Sequence, residues 1–370
     1  MLCQREHVAT IDAARVLTPE GFAGPTRVHL DGGHISHLEP LASTTSERTL
    51  APGFVDLQVN GIDDIDVASA RDADWDRLDE LLLAQGVTTW CPTLVTMPLP
   101  RYEAPLARVA EAMNRPSPGR PTIAGVHLEG PFLGRAPGAH PTELIVAPDM
   151  GWLARLPAHV TMMTIAPEQP GAIDAIRMLV ESGRLVSIGH TQCSEAEFDA
   201  AVDAGARLAT HLFNGMSGVH HRSPGVAVFA LTDQRISASL IADFVHVHPR
   251  VLGLAANSLG PDRTVLVTDA VAWRAGTAGT IGIEYADGAP RLPNGTLAGS
   301  ALTMITAAQN LVDAGVPLED ALTAASTNPA HLLNLTHVGR IAPGMRADLV
   351  ALSPALEIEQ VWVAGSACLR

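Results

Sequence analysis

Two histidines, His190 and His211, give the first sign of chemistry in the chain. Each closes a short apolar run, RLVSIGH and ARLATH, and an amphipathic stretch from Ser194 to Gly205 lies between them. Their separation, 211 − 190 = 21 residues, is about one β/α unit of a barrel. Two more apolar runs end on carboxylates, TIAGVHLE at Glu129 and TVLVTD at Asp269. Parallel strands closed into a barrel carry their carboxyl ends to one mouth, so these four residues are expected to converge there. Two neutral imidazoles and a carboxylate make a three-ligand site with a position left for water, as in catalytic zinc sites. Asp269 would then shuttle the proton. Each residue also has a plainer reading: an arginine partner for Glu129, a helix N-cap for Asp269, chance placement for the histidines. Their common register favours the metal site.

Three loops extend the candidate list. GPFLGRAPGAHP after Glu129 is rich in glycine and proline and carries His140; it reads as a lid or substrate loop, or as exposed chain bearing a solvated histidine. NGMSGVHHRSPG after His211 holds Asn214, His220, His221 and Arg222, and polar, glycine-bearing backbone beside an arginine suits an oxyanion. The alternative for Arg222 is an ordinary surface position. In ADFVHVHP, His246 and His248 share a face if the chain is extended, which would turn one toward the mouth; Asp243 reads equally well as a cap.

The elements that must position these residues follow a rhythm. Eight strand-like segments run from FVDLQVNG through GVTTWCPT, TIAGVHLEGPF, HVTMMTIAPE, RLVSIGH, ARLATH and RISASLIAD to TVLVTDA, mostly separated by helical patterns such as Asp74–Gln85 and Tyr102–Met113. The expected fold is α/β, a TIM-like (β/α)8 barrel over residues 52–335. A hairpin-like insertion is expected at Asn294-Gly295, with helices over Thr303–Ala314 and Leu318–Ala325. The segments 1–51 and 336–370 carry short strands, including a hairpin signal at Asp31-Gly32-Gly33, and are expected to pair into a small β-sandwich domain. His29 and His37 are read there as solvated rather than as ligands.

Composition excludes several classes. The 370 residues are 47% hydrophobic and 17% charged, which suits a globular chain, and the net charge of −15 without a basic run speaks against nucleic acid. All 24 basic residues are arginine. Without lysine there is no P-loop lysine, no Schiff-base chemistry and no carboxylated lysine bridging two metals. Cys3, Cys91, Cys193 and Cys368 show no metal-site spacing and read as reduced thiols, Cys193 as a packing residue despite its closeness to His190. The start MLCQREHVAT lacks the apolar core of a signal peptide, and no apolar run is long enough to span a bilayer, so a cytoplasmic location and no membrane partner are expected.

The motifs PGFVDLQVNG, HLEGPFL with GAH, GHT, THLFNGM, HRSPG, VTDA and LAGSALTM occur in order from Pro52 to Met304, with PGMRADLVAL near the end. Together they make the chain resemble the N-acetylglucosamine-6-phosphate deacetylases of the amidohydrolase superfamily over nearly its whole length. The resemblance implies hydrolysis of the acetamide of N-acetylglucosamine 6-phosphate, with Glu129, His190 and His211 on one divalent metal ion per subunit, zinc being expected. It implies Asp269 as catalytic base and acid, and His140 polarising the acetyl carbonyl. It implies a sugar-phosphate site of Ala139, His140, Asn214, Gly215, Arg222, His246 and the Leu297-Ala298-Gly299 loop. It also implies a homodimer in which an arginine at the position of Arg222 reaches the partner's site. The chain departs from wider amidohydrolase patterns at Gln58 and Asn60, which stand where many carry His-x-His; amides are poor zinc ligands, so a single metal is expected. Phe244 replaces the usual glycine, with a ring that would reshape the pocket. Gly215 replaces an alanine, expected to be a small change if the contact is through backbone. The rival readings are another amidohydrolase activity, on a different N-acetyl amino sugar phosphate, an N-acyl amino acid or a cyclic amide, and a barrel without catalysis.

Overall fold

The computed structural model describes residues 10–116, 119–279 and 281–368; Cys3 and most of the N-terminal stretch read for a leader lie outside them. Eight parallel strands pair in chain order: β1 Phe54–Val59, β2 Val87–Val95, β3 Val126–Glu129, β4 Val160–Ile165, β5 Leu185–Ile188, β6 Leu208–Ala209, β7 Ser237–Leu240 and β8 Thr264–Leu266. The ring joins where Val59 bridges Ala270, with Asp269 N–H donating to the Gln58 carbonyl (3.0 Å) and Asn60 N–H to that of Ala270 (2.8 Å). The expected (β/α)8 barrel is what the chain forms.

The strand interiors explain the near-continuous apolar runs. Both faces of β1 and β2 are buried along their length, one against helices and one inside the barrel. The inside is not purely apolar. His127 on β3 shares a hydrogen bond with Thr164 on β4 (2.8 Å), Thr164 with Thr210 (2.9 Å), and Thr210 with Ser187 on β5 (2.5 Å). On the other side Asp56 of β1 accepts from the Thr268 hydroxyl (2.6 Å). This buried polar layer lies beneath the strand ends, and its hydrogen bonds offset the cost of burying it.

The helical patterns hold to within two residues at their ends: Ala73–Leu83, Glu103–Met113, Glu195–Asp203, Met304–Asp313 and Leu318–Ala325. Ser194 starts the helix between His190 and His211 with a capping box, accepting from Glu197 N–H (3.3 Å) while the Glu197 carboxylate accepts from Ser194 N–H (2.7 Å). Phe198, Ala201 and Val202 then face the barrel.

At the base, a six-stranded sheet runs Ser366–Cys368, Ile358–Val363, Leu349–Leu352, Thr49–Pro52, Arg15–Thr18 and Gly21–Ala23. Leu349–Leu352 lies antiparallel to Thr49–Pro52 and so joins the two ends of the chain. A three-stranded sheet, Thr10–Ala13, Thr26–Asp31 and His34–Pro40, covers it. Between them Ile11, Val28, Ile35, Leu50, Leu349 and Trp362 form a core of their own, each large side chain contributing about 1.5–3 kcal/mol by burial. Gly32 (φ 54°) and Gly33 (φ 83°) make the hairpin turn that the sequence signals. His29 and His37 stack on each other on this sheet, and His29 meets Glu39 at 2.8 Å; neither joins a metal site.

After β8 the chain makes the Asn294-Gly295 turn, with Arg291 bridging Leu297. A second hairpin, Glu284–Ala286 with Ala289–Arg291, turns at Asp287-Gly288, where both residues have positive φ. Among the described residues no helix is long and apolar enough to cross a membrane.

Candidate metal centre and active site

The residues expected to end strands do not all lie in them. Glu129 is the last residue of β3, but β5 stops at Ile188, β6 at Ala209 and β8 at Leu266, two or three residues short of His190, His211 and Asp269. The reason is local. These three adopt left-handed backbone, with φ of 51°, 32° and 49°, which breaks the strand ladder. Such conformations cost of order 1–3 kcal/mol for a non-glycine residue and persist where surrounding structure enforces them. Their effect is to aim the side chains into the mouth.

Glu129 Oε1 lies 3.1 Å from His190 Nε2 and 2.9 Å from His211 Nε2, and the two nitrogens are 3.1 Å apart. All three residues are buried. The His190 Nδ1–H donates to the Ala136 carbonyl (3.2 Å), which leaves Nε2 with its lone pair toward Glu129 and His211. Electron-rich atoms gathered at this spacing fit one small cation, for which ligand bonds are about 2.0–2.1 Å. Glu129, His140 and His190 form an overlapping group with ligand atoms within 4.8 Å, but His140 Nε2 stands 3.9 Å from Glu129 Oε2. The set containing His211 is the tighter one. The buried cluster is a divalent-metal site.

The electrostatics agree. Burial alone would raise the Glu129 carboxyl, but the His190 and His211 imidazoles beside it hold it well below the usual carboxylate range. Burial pushes His140 down to about 3, with the neighbouring His190 adding to the effect, so its ring is neutral. Its Nδ1 sits 2.9 Å from the Thr96 hydroxyl. Asp269 is pushed up to about 7, first by burial and then by the Glu129 charge.

Gln58 ties the two carboxylates together. Its Nε2 donates to Glu129 Oε1 (3.0 Å) and to Asp269 Oδ1 (3.0 Å), and Asn60 Nδ2 also donates to Asp269 Oδ1 (2.7 Å). The amides that replace His-x-His are therefore hydrogen-bond donors that orient both acids. Glu168, a residue outside the strand-end motifs, clamps the loops around His190: it accepts from the Arg135 and Gln192 N–H groups (3.1 and 2.9 Å) and from the Thr191 hydroxyl. Nothing in its local sequence marks it, because its partners come from two other loops.

These groups line a cavity of about 380 Å³, within the range of small-molecule sites. Its wall also holds Ala139, His140, Asn214, Gly215, His246, Leu297, Ala298 and Gly299. His246 is fixed by Asp243, whose carboxylate accepts from its Nδ1–H (2.6 Å), while His248 turns away to cap the helix Pro249–Leu259. Arg222 does not line this cavity; it sits in exposed chain, beside His221 (2.9 Å). Phe244 is 36% exposed with φ 63° and is absent from the cavity wall among the described residues. Gly215 has φ 57°, and a Cβ there would come within 2.8 Å of His190 Nδ1, so its difference from alanine bears on the His190 ring. Cys193 is buried among apolar neighbours, its thiol pushed up to about 12 by burial, in keeping with packing rather than ligation.

The amidohydrolase family model matches residues 49–368. The chain belongs to the amidohydrolase family. Among its amidohydrolase relatives, the N-acetylgalactosamine-6-phosphate deacetylase of Escherichia coli O157:H7 is 36% identical, the match covering 95% of this chain and 97% of that one. The N-acetylglucosamine-6-phosphate deacetylase of Vibrio furnissii is 35% identical over 98% and 95% of the two chains. A mutant N-acetyl-D-glucosamine-6-phosphate deacetylase from Mycobacterium smegmatis, solved with N-acetyl-D-glucosamine-6-phosphate, superimposes with a TM-score of 0.90 at 32% identity, covering 97% of this amidohydrolase and 98% of that chain.

Proposed function

We propose that this amidohydrolase hydrolyses the acetamide of N-acetylglucosamine 6-phosphate to glucosamine 6-phosphate and acetate. The observation that carries the proposal is the convergence of Glu129, His190 and His211 within 2.9–3.1 Å, with Asp269 hydrogen-bonded to the same Gln58 amide that holds Glu129. Relatives about one-third identical over nearly the whole chain, named for this activity, support it.

Glu129, His190 and His211 would hold one divalent ion, zinc by their two-nitrogen, one-oxygen donor set, though such a set also accepts iron, cobalt or manganese. Bound there, the ion supplies Lewis acidity toward the acetyl carbonyl and acidifies water. Asp269, raised by burial toward neutrality, takes the proton from the attacking water and returns it to the departing amine. His140 donates from Nε2 to the developing oxyanion; its short contact with the Thr96 hydroxyl (2.9 Å) suits the tautomer in which Nδ1 accepts. Asn214, Gly215, His246 and residues 297–299 hold the sugar phosphate, and Arg222 reaches the neighbouring subunit of a homodimer.

The relative named for N-acetylgalactosamine 6-phosphate favours a second reading, the epimeric sugar, on the same machinery. Acetate release from both sugar phosphates, before and after chelation and with metal restored, tests both. Turnover of the gluco substrate that stops with chelator is expected. A preference for the galacto epimer moves the assignment to the second reading, and no release from either overturns both.

A further inference from the structure

The cavity has one permanent cation in its wall among the described residues, and it is Arg291 rather than Arg222. Arg291 ends the hairpin strand Ala289–Arg291 that follows β8, so it approaches from the insertion, while the ligand residues rise from the strand ends. Two backbone carbonyls orient its guanidinium: Nη1–H donates to Gly295 (2.9 Å) and Nε–H to Ala286 (3.3 Å). No carboxylate pairs with it among the described residues, unlike Arg27, Arg48, Arg120, Arg235 and Arg274 elsewhere on the surface. The remaining ionisable groups of the cavity are the Glu129 and Asp269 carboxylates and histidines. A partly exposed arginine whose guanidinium is held by carbonyls, with no carboxylate answering its charge, is suited to an anion.

We infer that Arg291 is a substrate-binding residue that pairs with the phosphate of the amino sugar within its own subunit. The inference rests on the proposed deacetylase reading for the identity of the anion. The insertion thus carries specificity: its Asn294-Gly295 turn supplies the Gly295 carbonyl that fixes the guanidinium, and the neighbouring Thr296 and Leu297 line the same wall. A phosphorylated hexosamine is selected over the free sugar because only the phosphate answers the charge.

Arg291→Gln tests this, since the glutamine amide can still donate to a backbone carbonyl but carries no charge. The kcat/KM for the phosphorylated substrate should fall by roughly 10- to 100-fold relative to that for the unphosphorylated N-acetylhexosamine, the range expected for one charge-assisted contact. Arg291→Lys should recover part of the ratio because it restores the charge, whereas loss of a structural pin on two carbonyls would affect both substrates alike and leave the ratio unchanged. Independently of turnover, inorganic phosphate should raise the Tm of the metal-loaded wild type and do so less for Arg291→Gln. An unaltered substrate ratio together with an unaltered phosphate response would overturn the inference. If the wild type releases no acetate from either sugar phosphate, the deacetylase reading falls. The phosphate-dependent Tm then decides alone: a response lost in Arg291→Gln upholds the anion site, and one retained removes it.

Discussion

At the scale of single residues the site is an arrangement of acids held apart in purpose by their surroundings. Glu129 is kept ionised by two imidazoles, whereas Asp269, also buried, is pushed up toward neutrality. Two carboxyl groups with opposite shifts in one cavity suit the roles of ligand and proton carrier proposed for them. Asp269→Asn keeps an oxygen that can accept from Gln58 and Asn60, so the fold and the metal should persist while kcat drops by about 10²- to 10⁴-fold. Metal analysis beside steady-state kinetics checks both halves, and near-normal turnover would remove Asp269 from its role. A cation beside Asp269 favours its carboxylate, so the acid limb of kcat/KM should fall at or below pH about 7. A limb above pH 8 would contradict that. The types and register of Glu129, His190, His211 and Asp269 were legible in the sequence, since each closes an apolar run. The Gln58 bridge, the Glu168 clamp and Arg291 were not, because each acts through partners on other loops or strands that only the closed barrel brings near.

At the scale of elements, strand patterns were legible where burial on both faces leaves unbroken apolar runs, as in β1 and β2. The short β6 and β8 were overestimated, because the left-handed turns at His211 and Asp269 leave no trace in hydrophobicity. Across the closing seam lies a contact that no pattern reveals, Asp56 on β1 with Thr268 just beyond β8. Burial pushes Asp56 up to about 7, above its ordinary value of 3.8, despite hydrogen bonds from Thr268 and Gln58. The native state therefore holds a proton that the unfolded chain has lost between these values. Stability from this group is fully present below pH about 4 and is lost as the pH rises through about 7. Asp56→Asn retains an acceptor for the backbone N–H groups and gains a donor for the Thr268 oxygen. Its Tm should fall less than that of wild type between pH 4.5 and about 7.5, a comparison in which the other titrating groups cancel. Parallel Tm profiles would mean that Asp56 is ionised throughout.

At the scale of the whole molecule, the metal site and the fold should be coupled, because the proposed ligands come from β3 and from the turns after β5 and β6. An ion that binds only the folded chain stabilises it by about 4 kcal/mol at a thousand times its Kd. Chelation should therefore lower the Tm by several degrees, and Glu129→Gln should remove that metal response; equal Tm with and without chelator would dissociate the site from the fold. Arg222 raises the remaining question of assembly, since it lies in exposed chain and outside its own subunit's cavity. If it serves a partner's site, two defective proteins should repair each other. In a mixed dimer of Asp269→Asn and Arg222→Ala chains, the second chain keeps its aspartate and receives an intact arginine from the first. The other site then carries both defects. Random exchange of subunits should restore about a quarter of wild-type sites, measured at substrate well below KM. Action within one subunit restores none, because every site would lack either its aspartate or its arginine. The mixture, assayed against each variant alone, thus distinguishes an arginine lent across an interface from one that Arg291 has made unnecessary.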